Sequence, residues 1–179
     1  VSETTETGLA GKASHPLAAT VVFQPLSSPP NRQVTLPEKY QLIIARLYKN
    51  LNLDRTIVKS MPPSTSPSIK NTVPMDVHYC SQRRALHLFD KNAGTDTSES
   101  VSALIEKYKP KITHIDLPLD NPNIDSVITS LNDIDFFFCA LLPEFAHTDV
   151  LRLQAIASLT PEDLELNLVN EDAISLGDF

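Results

Sequence analysis

His78 and Cys80 are separated by a single residue within a segment, residues 76–80, that has the pattern of a β-strand. Because side chains two residues apart in a strand point to the same face, this pair could supply two metal ligands or a thiolate and its base. A metal site normally has three or four ligands, however, and a cysteine nucleophile needs a third group that orients its base. Ordinary half-buried strand residues are the favoured interpretation, and an enzyme that uses Cys80 and His78 is the alternative.

Other motifs of catalysis and cofactor binding are missing from the sequence. The histidines show no HExxH pattern and no repeated spacing with cysteine that would indicate a metal site. Only 4 residues are glycine, so the sequence has neither a glycine-rich loop for a phosphate group nor a G-x-S-x-G nucleophile elbow. The carboxylates do not follow the EF-hand order. We therefore expect no catalytic residue, no metal and no cofactor.

Charge and hydropathy argue against several classes of partner. Lys and Arg total 15 against 22 Asp and Glu, which gives a net charge of -7 and the wrong sign for binding nucleic acid or an anionic membrane. The apolar run at residues 136–142 is far shorter than the roughly 20 residues that span a bilayer. Residues 1–6 are polar and acidic, which is not the pattern of a signal peptide. With two cysteines interpreted as free thiols, an intracellular location is favoured.

The composition changes along the chain, since most of the 14 prolines precede residue 76. A helix is predicted after Thr35, because Glu38 completes a capping box and Pro37 suits a first helical turn. Residues 20–23 are the one strand candidate before it. The chain is divided into four segments: an irregular Pro/Ser/Thr-rich arm at 1–34, a helical segment at 35–60, a Pro-rich linker at 61–75 and an α/β domain at 76–179.

Strand-like and helix-like segments alternate from residue 76 onward. The strand patterns cover four segments: 76–80, 85–89, 113–117 and 150–153. Apolar residues at helical spacing lie between Val101 and Tyr108 and again between Ile124 and Leu131. Such alternation is typical of parallel strands joined by crossover helices. We therefore predict an α/β fold with a parallel sheet and helices, preceded by a helix and a Pro-rich irregular segment.

Three of these strands begin segments that resemble one another. Leu86 and Ile115 each open an apolar-x-Leu strand, are 29 residues apart and lead through Asn92 and Asn121 into an amphipathic helix. A third copy begins at Leu151, 36 residues after Ile115, and lacks the asparagine. The alternative to a repeat is an irregular α/β domain with similar strands.

This pattern, over about residues 84–170, resembles the leucine-rich repeat family, in particular its ribonuclease inhibitor-like members. The resemblance implies a short solenoid in which the strand leucines point into the core and the asparagine hydrogen-bonds the turning backbone. It also implies that the strands line a concave surface that binds proteins.

The middle residues of the three strands are candidate binding residues. His87, Asp116 and Arg152 each lie between apolar neighbours, so their side chains would point away from the core. Neighbouring strands about 4.8 Å apart would set them in one solvent-facing row, with the acid between two basic groups. Replacing Asp116 by Lys should then leave the melting temperature nearly unchanged. The alternative is three unrelated exposed residues.

The favoured function is a non-enzymatic protein-interaction module that binds a protein partner through a sheet face or an apolar patch. No nucleic acid and no membrane span are expected, and the oligomeric state is left open. Two alternatives remain: an enzyme domain or fragment that uses Cys80 and His78, and an assembly subunit whose N-terminal arm wraps around a partner.

Overall fold

The computed structural model describes residues 29–60, 74–145 and 147–157, which form a mixed α/β structure, and the predicted α/β class is confirmed. The strands in these ranges are β1 (Arg32–Thr35), β2 (Arg55–Val58), β3 (Asp76–Cys80), β4 (Ala85–Phe89), β5 (Ile112–Pro118), β6 (Phe137–Phe145) and β7 (Thr148–Ile156). The helices are α1 (Gln41–Asn50), α2 (Thr97–Tyr108) and α3 (Ile124–Asn132), and a 3-10 turn (Glu38–Tyr40) precedes α1. The strands form one sheet of β1 and β2 and a five-stranded sheet in the order β3-β4-β5-β7-β6.

The first elements form a βαβ unit in which β1 and β2 are parallel. α1 connects them, because parallel strands need a crossover of this kind. Ile43, Ile44 and Tyr48 are its buried residues, and they follow the helical spacing that predicts a helix here. The helix begins later than the predicted capping box, because Thr35 belongs to β1 and donates its backbone N–H to the carbonyl of Leu119.

Charged side chains attach the βαβ unit to the hairpin of β6 and β7. Arg55 of β2 is buried and donates from Nε to Asp149 at 2.6 Å and from Nη2 to Glu144 at 2.9 Å. Arg32 of β1 donates from Nη2 to the same Glu144 at 2.6 Å. Asp149 is fully buried, and Arg55 provides the counter-charge for its carboxylate. We call these four residues the ion cluster.

The prediction of a parallel sheet is wrong for most of the five-stranded sheet. Only β4 and β5 run parallel, because α2 crosses over between them. β3 is joined to β4 by the short turn at residues 81–84, and β6 ends only a few residues before β7 begins. Such short connections give antiparallel pairs, and β7 is antiparallel to β5 as well.

The three repeat-like segments form neighbouring strands without forming three turns of a parallel solenoid. Leu86 lies on β4, Ile115 on β5 and Leu151 on β7, which are adjacent in the sheet. The first two strands are parallel, as the repeat predicts, but β7 runs in the opposite direction. The prediction that the strand at Leu151 is a third parallel copy is therefore wrong. The resemblance to the leucine-rich repeat family stays a prediction.

The two asparagines of the repeat pattern have different environments. Asn121 is buried, and its side-chain amide donates to the carbonyl of Ala93 at 2.9 Å, as the resemblance implies for an asparagine at a turn. Asn92 is exposed, and its backbone N–H donates to the carboxylate of Asp90 at 3.2 Å. Asp90 thus stabilises the first turn in place of the predicted asparagine.

Alternation along the strands gives the five-stranded sheet two different faces. One face, the leucine face, consists of apolar side chains that are at most 2% exposed: Leu86, Leu88, Ile115, Leu117, Leu151 and Leu153. Helix α2 packs on this side, since Tyr108 contacts Tyr79 of β3 with ring centroids 4.9 Å apart. Tyr40 of the 3-10 turn contacts Phe138 of β6 on the same side, at 5.7 Å. The core therefore lies between the leucine face and the helical elements.

The elements also differ from the predicted segments. β1 overlaps the end of the predicted irregular arm at 1–34, and β2 lies within the predicted helical segment at 35–60. β3 to β7 lie within the predicted α/β domain at 76–179. The strand candidate at 20–23 and most of the linker at 61–75 lie outside the described residues. No helix in the described ranges is long and apolar enough to cross a membrane.

Candidate functional site

The side of the five-stranded sheet opposite the leucine face carries three histidines in a row. His78, His87 and His114 are direct neighbours on β3, β4 and β5. Ring centroids are 6.5 Å apart between His78 and His87, and 4.9 Å apart between His87 and His114. The row continues through Gln154 of β7 to Phe137 of β6. We call the three histidines the histidine row and this side of the sheet the histidine face.

The strand pattern explains why the histidines share a face. His87 lies between Leu86 and Leu88, which are buried on the leucine face, so its side chain points to the opposite side. His114 precedes the fully buried Ile115 and is oriented in the same way. The alternation of the sequence therefore determines the face to which each imidazole points.

Burial and neighbouring positive charge keep two imidazoles of the row neutral. Burial lowers the pKa of His87 below its ordinary 6.5, with Arg152 adding to this effect and Asp116 opposing it. Burial lowers the pKa of His114 to about 4, again with His87 and Arg152 adding to the effect. The Nδ1 atom of His114 is buried and has no hydrogen-bond partner within the described part of the chain. At neutral pH both rings are uncharged.

An acid and an arginine form a close pair in the next row of the histidine face. Arg152 of β7 donates from Nε to Oδ1 of Asp116 at 2.6 Å and from Nη2 to Oδ2 at 2.7 Å. This bidentate pair raises the pKa of Arg152. Asp116 is only 7% exposed, so the prediction that it faces solvent is wrong. The arginine shields it.

The predicted alignment of His87, Asp116 and Arg152 in one row is correct for Asp116 and Arg152. His87 lies in a different row from the one predicted. Asp116 and Arg152 are direct partners across β5 and β7, as predicted. His87 pairs with His114 and so lies in the adjacent row. The repeat alignment sets Leu86 against Ile115, whereas Ile115 pairs with Leu88. A shift of two residues keeps every side chain on its face, so His87 still shares the face with the pair.

A β-bulge in β6 places a cysteine near this pair. The pairing of β6 with β7 shifts between Phe138 and Ala140, which leaves Cys139 as the extra residue. Burial raises the pKa of the Cys139 thiol to about 11, and Arg152 opposes this only in part. The thiol therefore stays protonated at neutral pH, which is unfavourable for a nucleophile.

The two residues of the alternative enzyme site have separate side-chain contacts in the structure. His78 and Cys80 both lie on β3, two residues apart. The thiol of Cys80 contacts the side-chain oxygen of Gln82 at 3.6 Å, while the ring of His78 lies against His87. Among the residues that the structure describes, no group of three or more His, Cys, Asp or Glu side chains could hold a metal ion.

Two members of the histidine face, His114 and Gln154, are not among the residues predicted from the sequence. The sequence signal that could have identified them is the alternation of apolar and polar residues along each strand. His114 adjoins Ile115 and Gln154 adjoins Leu153, and both of these apolar residues are fully buried. The strand register that brings His114 beside His87 comes from the pairing of β4 with β5 and is not visible in the sequence.

Comparison with known proteins finds no matching family model, no similar curated protein and no similar solved structure. The function is therefore inferred from the geometry of the histidine face.

Proposed function

We propose that this chain is a non-enzymatic protein-interaction module and that the histidine face binds its protein partner. The observation that supports this proposal is the set of side chains on the sheet side opposite the helical elements. There, three imidazoles, an arginine and aromatic rings lie partly exposed on the same side of the sheet.

The composition of the face is typical of the centre of a protein interface. Such centres are enriched in aromatic residues and arginine and depleted in unpaired charge. Phe137 lies beyond Gln154 in the line of residues that extends the histidine row, and Phe89 is paired with Asp116 in the neighbouring line. Phe145 is 45% exposed and contacts Phe89 edge-on, with centroids 6.2 Å apart. These rings offer apolar contact area on both sides of the polar centre.

The charge on the face determines the chemistry of the partner. Arg152 and Asp116 neutralise each other, and the pKa shifts of His87 and His114 keep both rings uncharged at neutral pH. An unpaired charge on the partner would lose its hydration without gaining an opposite charge. The partner surface that fits is therefore apolar and uncharged, with hydrogen-bonding groups for Gln154 and the imidazoles.

Site-specific photocross-linking tests this proposal. A photoreactive phenylalanine analogue replaces Gln154 on the histidine face in one variant and the exposed Glu106 on α2 in a matched control. After irradiation in cells of the native source, we expect a cross-linked protein with the Gln154 variant and none with the control. The partner is then purified, and its affinity for Gln154→Arg and Glu106→Arg variants is measured.

We expect Gln154→Arg to weaken binding at least about tenfold, because it adds an unpaired charge at the centre of the interface. Glu106→Arg should leave the affinity unchanged. Cross-linking at Glu106 alone, or equal affinity for both variants, would contradict a binding role of the histidine face.

A further inference from the structure

His87 and His114 form an unusual contact for two titratable groups. The rings lie on directly paired residues of parallel strands, with centroids 4.9 Å apart and planes inclined by 35°. Both side chains are half-buried. While the rings are neutral, this contact contributes packing between β4 and β5. Once both are protonated, the same contact brings two like charges together on half-buried rings, where solvent screens their repulsion only in part.

The surrounding groups compensate for such charges only in part. β3 contributes His78, whose ring contacts His87 from the other side. β7 contributes Arg152, which is positive, and β6 contributes the protonated thiol of Cys139. Among the described residues, the carboxylate that acts on both rings is Asp116 on β5, and it accepts two hydrogen bonds from Arg152. Farther along the strands, an exposed pair with N···O of 4.0 Å lies between Lys91 and Asp76.

We propose that the histidine row is an acid-triggered switch in the five-stranded sheet. While the rings are neutral, the row packs β3, β4 and β5 together. When His87 and His114 take up protons, repulsion between them and from Arg152 loosens the pairing of β4 with β5 and releases the β3–β4 hairpin. The switch does not depend on a bound partner, since every group in it belongs to this chain.

The direction of the histidine pKa shifts determines the pH range in which the switch acts. The pKa values of His87 and His114 are lower in the folded chain than the ordinary 6.5, and that of His114 is about 4. Between these values the unfolded or opened segment binds more protons than the folded one, so acid favours opening. The stabilising effect of the neutral row is therefore complete above about pH 6.5 and is lost as the pH falls towards 4.

Hydrogen exchange with mass spectrometry tests the switch on the whole chain. Exchange of the peptides that cover β3, β4 and β5 is measured at pH 7.5 and pH 5, and each rate is divided by the intrinsic rate of the unstructured chain at that pH. We expect opening of these strands to increase about tenfold at pH 5. This value is lower than the roughly 30-fold that linkage gives for His114 alone, because solvent screens a half-buried group.

Two variants distinguish opening caused by His87 and His114 from opening that acid causes through other groups. In the His87→Gln/His114→Gln variant the strands should show the same corrected exchange at both pH values. His147→Asn, at an exposed turn position with φ of 69° that asparagine tolerates, should behave as the original chain. Acid-induced opening in the double variant, or its absence in the original chain, would overturn the proposal.

If the double variant does not fold, titration of the histidines in the unsubstituted chain tests the proposal instead. NMR of the imidazole Cε1–H signals in the unsubstituted chain should show His114 titrating well below pH 6. A His114 midpoint at or above 6.5 would also overturn the proposal, since the row would then gain its charge without a penalty on folding.

Discussion

Asp116 and Arg152 hold the centre of the histidine face through two hydrogen bonds of 2.6 and 2.7 Å. Removing the acid leaves a partly buried arginine without its partner, and a lysine in its place adds repulsion. We therefore expect Asp116→Lys to lower the free energy of unfolding by about 3 kcal/mol. Urea unfolding at pH 7 measures this loss.

Asp120→Lys is the matched control, because Asp120 is exposed just beyond the end of β5. This substitution should change the free energy of unfolding by less than about 0.5 kcal/mol. An equally small effect of Asp116→Lys would show that the pair contributes little to the fold, as the sequence pattern alone suggests.

The local strand pattern predicts the direction of the Asp116 side chain but not its burial. An apolar-x-apolar strand determines the face to which the middle side chain points, and the sequence places Asp116 on the correct face. Burial on that face depends on neighbours from other strands. Here Arg152 covers the carboxylate, and β7 brings it there in an antiparallel direction that the sequence did not predict.

Cys139 provides a second prediction at the scale of single residues. A pKa of about 11 in place of 9.0 reduces the thiolate fraction at pH 8 about 100-fold, and the thiolate is the reactive form. Alkylation of Cys139 by iodoacetamide in the folded chain should therefore be at least about 100-fold slower than in the chain unfolded by urea. Mass spectrometry of the labelled peptides gives both rates. Equal rates would place Cys139 outside the buried environment of the bulge.

At the scale of elements, the ion cluster attaches β1 and β2 to the β6–β7 hairpin. Arg55 and Asp149 are 8% and 0% exposed, so truncating Arg55 leaves a buried carboxylate without a counter-charge. We expect Arg55→Met to lower the free energy of unfolding by about 3 to 5 kcal/mol. Chemical denaturation at pH 7 provides the measurement.

The double variant Arg55→Met/Asp149→Leu is the control for this interpretation. Because an apolar pair of similar volume avoids the cost of desolvating both charges, it should recover most of the lost stability. Arg32→Met should have a smaller effect than Arg55→Met, since Arg32 is more exposed. If the double variant is as unstable as Arg55→Met, the loss comes from packing and not from an unpaired charge.

Element type was more predictable than element pairing. α1, α2 and α3 all form where helical spacing occurs, and four of the five strands of the larger sheet coincide with predicted segments. The direction of β7 was not predictable, because it depends on the long-range pairing of the β6–β7 hairpin with β5. β2 gave no strong signal either, since Thr56, Ile57 and Val58 are all exposed and show no alternation of buried and exposed positions.

At the scale of the whole described structure, the two faces of the five-stranded sheet have different environments. α2 and the 3-10 turn contact the leucine face, and the hydroxyl of Tyr40 donates to Asn132 of α3 at 3.0 Å. Apolar core packing is therefore concentrated on the leucine face, while the histidine face carries the proposed binding surface and the proposed switch. This division requires that adjacent residues on one strand respond differently to truncation.

Leu153 and Gln154 test that requirement on β7. Leu153 is fully buried on the leucine face, so Leu153→Ala should lower the free energy of unfolding by about 2 to 5 kcal/mol through lost burial and a cavity. Gln154 lies half-buried on the histidine face, and Gln154→Ala should cost less than about 1 kcal/mol. Both values come from urea unfolding at pH 7.5, where the histidine row is neutral. Similar losses for the two variants would mean that both faces are equally packed, and the histidine face would then not be free to bind a partner.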